Sequence, residues 1–121
     1  MVQNEAQLWQ SLKKKTPQIK WTKIENTSHL GTPDLLGYNK NKTFFTVELK
    51  VSKSNKLKFS PHQIAFHIRH SKNSFIFAIQ LLDQSLKLYE GNQIESLATQ
   101  GLKLEPICEG LESCIKKLEG L

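Results

Sequence analysis

The stretch from Gly31 to Lys50 does most to limit what this chain can fold into. It reads Gly31-Thr32-Pro33-Asp34-Leu35-Leu36-Gly37-Tyr38, then a polar turn rich in Asn and Lys, then Thr43-Phe44-Phe45-Thr46-Val47-Glu48-Leu49-Lys50. Two short apolar runs about such a turn predict adjacent strands joined as a hairpin. Side chains alternate along a strand, so Glu48 and Lys50 share one face while Val47 and Leu49 point to the other. Asp34 opens the first run behind a Pro-containing turn, where a hairpin register would bring it beside Glu48. Two acids and a lysine then converge.

Neighbouring carboxylates repel, and partial burial raises the pKa of at least one of them. A divalent cation removes that conflict. Mg²⁺ needs only one or two carboxylates from a protein, keeps several waters and accepts phosphate oxygens. Bound there, it would acidify a water and stabilise phosphate charge, while Lys50 would orient the attacking water or help deprotonate it. This is equipment for phosphodiester hydrolysis. The same letters also suit a plain hairpin with Asp34 in its turn and Glu48 and Lys50 on a solvated face.

The charge favours a polyanionic partner. Residues 1–72 carry twelve Lys and one Arg against four acids, and residues 73–121 carry four Lys against seven acids, so a net +9 is followed by −3. The basic part holds the proposed site and would draw DNA or RNA, with affinity falling as salt rises. Lysines kept for solubility would explain the sign but not the segregation. The 121 residues predict a single domain, 1–121. No apolar run approaches the ~20 residues that span a bilayer, and Met1 to Lys15 is too polar for a secretory signal. No membrane association is expected, and the location is cytoplasmic or wherever the nucleic acid lies. His29 has no second histidine at metal-ligand spacing, so no zinc site is expected.

Along the chain, residues 4–15 predict a helix with Asn4 as N-cap and Leu8, Trp9 and Leu12 on one stripe. Glu5 falls on that inward stripe, where an acid needs a partner, although its place in the first turn also suits the helix dipole. Residues 19–26 alternate as a first strand. Val51 to Lys58 reads as a flexible basic segment whose Lys53, Lys56 and Lys58 are placed to grip phosphates, and Ser28 and His29 are further phosphate contacts or simply loop. Ser60-Pro61-His62-Gln63 is a helix start, with Gln63 completing a capping box and Phe59 stapled to Ile64. That helix should reach about His70, bury Ile64, Ala65 and Ile68, and leave His62, His67, Arg69 and His70 mostly on the surface. Ser74 to Leu82 lacks alternation and predicts a strand buried on both faces at the sheet's centre. Leu86 to Tyr89 predicts the last strand, and residues 92–100 and 107–119 two helices. Cys108 and Cys114, six apart in the second of these, should form no disulfide, with Cys114 a reduced core thiol.

The pair Pro33-Asp34 and Glu48-Leu49-Lys50, fourteen positions from acid to acid, resembles the signature of the PD-(D/E)xK nucleases. Within that superfamily, Gly31 to Gly37 with Val47 to Lys50 is most similar to the virus-type replication-repair nuclease (VRR-NUC) group and to archaeal-type Holliday-junction resolvases. The resemblance implies an α/β, restriction-endonuclease-like core with a mixed central sheet of about five strands flanked by helices. It implies a metal-dependent endonuclease acting on DNA, in particular branched DNA, with Asp34 and Glu48 holding Mg²⁺ (Mn²⁺ as substitute) and Lys50 activating the water. By the same resemblance Glu5 matches a metal-site glutamate of the first helix, the Leu49 carbonyl joins the metal shell, and Gln63 matches an extra active-site glutamine. Paired incision of a junction implies a homodimer. A flap, restriction-type or RNA-cutting enzyme of the same fold, and a non-catalytic nucleic-acid-binding module, are the rival expectations. A small structural or partner-binding protein would leave the basic half unexplained.

Overall fold

A computed structural model describes residues 1–24 and 31–121 of the chain. Ser28 and His29 lie outside the described residues. The Asn4 side chain accepts the Gln7 N–H at 2.9 Å and starts helix α1 (Glu5–Lys15), which buries Leu8 and Leu12. Strands β1 (Lys20–Lys23), β2 (Leu35–Tyr38) and β3 (Phe44–Ser52) follow, then helix α2 (Pro61–Arg69), strands β4 (Ser74–Gln80) and β5 (Ser85–Glu90), helix α3 (Ile94–Gln100), strand β6 (Cys108–Glu109) and helix α4 (Leu111–Glu119). The six strands form one sheet in the order β1-β2-β3-β4-β5-β6. Neighbours run antiparallel except β3 and β4, which pair in parallel. A parallel pair needs a crossover, and α2 supplies it. The fold is thus the expected restriction-endonuclease-like α/β architecture with one strand more than expected.

β4 is buried along its whole length but for Gln80, as a strand covered on both faces must be. Its odd-numbered side chains, Phe75, Phe77 and Ile79, join Leu8, Leu12, Phe45, Val47, Leu49, Leu88, Cys114 and Leu118 in the larger core. An edge-to-face aromatic series runs Trp9–Trp21–Phe45–Phe75 at centroid separations of 5.8, 5.6 and 6.2 Å. Each contact adds ~0.5–1.5 kcal/mol beyond its buried area, which ties α1 and β1 to the sheet's centre. Ile76, Ala78 and Tyr89 face a smaller core with Leu57, Ile94, Leu97 and Leu102.

Four expectations are corrected. The 107–119 segment is not one helix: Cys108 pairs opposite Leu88 on β6, and Gly110, at φ +88°, separates it from α4. Both cysteines are free thiols, and Cys114 is fully buried. On α2, His67 is the buried residue, whereas Ala65 and Ile68 face outward. The segment after β3 is pinned rather than flexible. Ser52 Oγ donates to the Lys56 carbonyl at 2.8 Å, the Asn55 carbonyl accepts the Leu102 N–H at 2.7 Å, and Leu57 is buried. Finally, residues 91–93 form a 3-10 turn that leads into α3.

Candidate active site

The β2–β3 pairing sets Leu35 opposite Val47 and Leu36 opposite Thr46, so the next step back along β2 places Asp34 opposite Glu48. Antiparallel partners project to the same face. The two carboxyls share that face, and Asp34 Oδ2 accepts the Leu49 N–H at 2.7 Å. Glu48 is 4% exposed, and its Oε1 has no hydrogen-bond partner among the described residues. Burial first, then the neighbouring Asp34 carboxyl, push the Glu48 pKa up to about 9, against a smaller opposing pull from Lys50. Two neighbouring carboxylates repel unless one is protonated, and a cation seated between them would take that proton's place.

Lys50 lies two residues on, on the same face. Its Nζ donates to the Lys58 carbonyl at 2.8 Å and to Gln63 Oε1 at 3.4 Å, and stands 4.7 Å from the centroid of the Phe59 ring. Gln63 makes two sets of contacts. Its Oε1 accepts the Ser60 N–H at 3.0 Å in the capping box, while its Nε2 donates to Glu48 Oε2 at 3.5 Å. One side chain therefore fixes the start of α2 and spans the acid and the lysine.

Glu5 is exposed at the start of α1, not inside the core stripe, because the helix ends its burial at Leu8. It lines a cleft of about 230 Å³ with Lys23, Asp34 and Leu49, where partial burial and then the Asp34 charge raise its pKa. Among the described residues no three His, Cys, Asp or Glu side chains form a ready-made metal cage. Asp34 and Glu48 alone still satisfy the one-or-two-carboxylate habit of Mg²⁺, and the orphaned Oε1 is the acceptor such an ion would use. Lys53, Lys56 and Lys58 line a second cleft with Glu5 and Lys50, beside the acids.

One group beneath this site leaves no mark in the local sequence pattern. His67, one turn along α2 from Gln63, is fully buried, with Nδ1 3.0 Å from Ser74 Oγ and Nε2 without a partner among the described residues. Burial, then Lys50 and His70, lower its pKa to about 4. A folded pKa below the ordinary 6.5 favours the neutral ring, so its contribution to stability is present above about pH 6.5 and is lost as pH falls towards 4. The melting-temperature gap between the chain and His67→Leu should accordingly shrink from pH 7 to pH 4. A gap that stays constant in circular-dichroism melts would contradict a neutral buried imidazole.

No family model matches the sequence, and a search of curated proteins finds no match. Among solved structures, one described as a "VRR_NUC domain" is similar in fold, with a TM-score of 0.51 and 22% sequence identity over 78% of this chain and 94% of its own. No helix among the described residues is long and apolar enough to cross a membrane.

Proposed function

From a chain with the fold of a VRR_NUC domain and two carboxyls converging with a lysine on its central hairpin, we propose a metal-dependent nuclease that hydrolyses phosphodiester bonds in DNA, branched DNA in particular. The observation that carries this reading is the buried Glu48 carboxyl beside Asp34, with one oxygen unpartnered among the described residues. A pair so arranged is costly in a purely structural role and useful around a cation. Asp34 and Glu48 would hold Mg²⁺, or Mn²⁺ in its place, with the Leu49 carbonyl and Glu5 completing the shell. When bound, the ion supplies charge stabilisation for the phosphate and a more acidic water.

The chain's own groups do the rest. Gln63 and the Lys58 carbonyl aim the Lys50 ammonium, which orients the attacking water and steadies charge growing on the phosphate. Lys53, Lys56 and Lys58 hold the flanking backbone. A homodimer would present two such sites to a four-way junction, and the protein would work in the cytoplasm or wherever its DNA lies.

The test is incubation with a four-way junction, a flap, linear duplex and single strand, each in Mg²⁺, Mn²⁺ or EDTA. Cleavage of the junction by symmetric paired nicks in either metal, and none in EDTA, is the expected result. Binding without cleavage in every metal condition overturns the enzyme reading. Cleavage confined to flaps replaces the junction with a flap as substrate.

A further inference from the structure

One face of the β2–β3 hairpin carries more than the acids. Because Leu36 stands opposite Thr46 and Tyr38 opposite Phe44, the face reads Asp34, Leu36, Tyr38 on one strand and Glu48, Thr46, Phe44 on the other. The acids occupy one end and two aromatic rings the other, four residues or ~13 Å apart along the strand. Phe44 is 58% exposed, an unusual state for a strand Phe beside a polar loop. Tyr38 and Phe44 pack with centroids 4.4 Å apart and planes tilted by 34°, and Phe66 of α2 and His70, which caps it, pack at 4.5 Å with planes tilted by 43°. A groove of about 390 Å³ is lined by Leu36, Phe44 and Thr46 of the hairpin and by Phe66 and His70.

We propose that this groove is a stacking subsite for one unpaired nucleobase of the strand being cut, an inference that rests on the nuclease reading and specifies its substrate as DNA with a splayed-out base. The groove's volume lies at the lower end of the ~300–1,000 Å³ typical of small-ligand sites, so it suits a single planar base rather than a helix or strand of a partner. Aromatic side chains line both walls, Phe44 on one and Phe66 and His70 on the other, and they offer contact to a base without demanding a sequence. The surrounding charge fits the attached phosphates. Lys40 and Lys42 lie in the turn that joins β2 to β3 and Arg69 and Lys72 flank His70 in the chain, whereas Asp34 and Glu48 stand at the far end. A second copy of the chain docking here about a two-fold axis would set Lys40, Lys42, Arg69 and Lys72 against themselves, which like-charge repulsion opposes.

The test uses the full chain in EDTA, so that binding is read without cleavage. Oligonucleotides carry 2-aminopurine, a fluorescent adenine analogue quenched by stacking, either unpaired at successive positions beside a duplex or fully paired. Quenching at one unpaired position is expected with the wild type and with Phe44→Tyr. Phe44→Ala and Phe44→Leu, the latter keeping apolar bulk without the ring, should bind that probe about tenfold more weakly. Their affinity for the fully paired duplex should stay within twofold. Equal affinity of all four proteins for the unpaired probe overturns the proposal. So does a wild type that sediments as a dimer while Phe44→Ala sediments as a monomer, since the groove would then hold a second copy. A wild type that hydrolyses DNA but quenches no unpaired probe sinks the subsite alone, and a wild type that quenches one but hydrolyses nothing in any metal sinks the nuclease reading alone.

Discussion

Glu48→Ala should leave the chain folded and lower its hydrolytic rate by ~10³-fold or more, and Lys50→Ala should cost ~10²–10⁴-fold. Equal cleavage by Glu48→Ala would sink the assigned site outright. The same carboxyl gives a second readout that needs no substrate. Its folded pKa of about 9 lies above the ordinary 4.5, so in EDTA the folded chain holds a proton that the unfolded chain releases. Stability contributed by this group is therefore greatest below about pH 4.5 and is lost as pH rises towards 9. Glu48→Gln keeps the shape and the neutral form at every pH. It should melt several degrees above the wild type at pH 8 in EDTA, with the difference closing near pH 5. Mg²⁺ at pH 8 should raise the melting temperature of the wild type and leave Glu48→Gln nearly unmoved, because only the carboxylate pair gains from the ion. An equal rise in both would mean that the ion binds elsewhere.

The acids were legible in the sequence because strand periodicity is simple. Once two apolar runs flank a turn, a period of two fixes which residues share a face, and the hairpin register sets Asp34 against Glu48. The Ser60–Gln63 capping box was legible for a similar reason, since its rule is local. What Gln63 touches was not, because its contacts with Glu48 and Lys50 depend on how α2 docks on β3. The burial of His67 was hidden too: nothing in the local pattern reveals that Ser74 awaits it on a strand seven residues away. Leu57 is masked by four neighbouring lysines, although it anchors the whole basic segment. In the C-terminal region Cys108 prolongs the helical spacing of Leu111, Cys114 and Leu118, which hid β6. Gly110 carried the contrary signal, a break where the backbone takes φ +88°.

Gly101→Ala should be among the most destabilising single changes in the chain, although Gly101 lies between α3 and Leu104 and far from the acids in sequence. Its backbone sits at φ 64°, ψ −149°, a region essentially open only to glycine. An added Cβ would collide with the Asn55 carbonyl oxygen, which is main chain and already accepts the Leu102 N–H. No side-chain rotation relieves such a clash. Gly110→Ala is the matched control, since Gly110 also has positive φ but a methyl added there would meet nothing within 4 Å. It measures conformational strain alone, ~1–3 kcal/mol. Gly101→Ala adds displacement of a packed segment, for a total of ~3–5 kcal/mol and a fall of about 10 °C or more in melting temperature. The displaced segment is the basic one. Leu57 would leave its pocket against Ile94, Leu97 and Leu102, and the Lys58 carbonyl that holds Lys50 would move with it. Below its own melting temperature, Gly101→Ala should therefore also lose nuclease activity, and Gly110→Ala should not. Full activity in a folded Gly101→Ala would show that Lys50 keeps its aim without the Asn55–Lys58 segment.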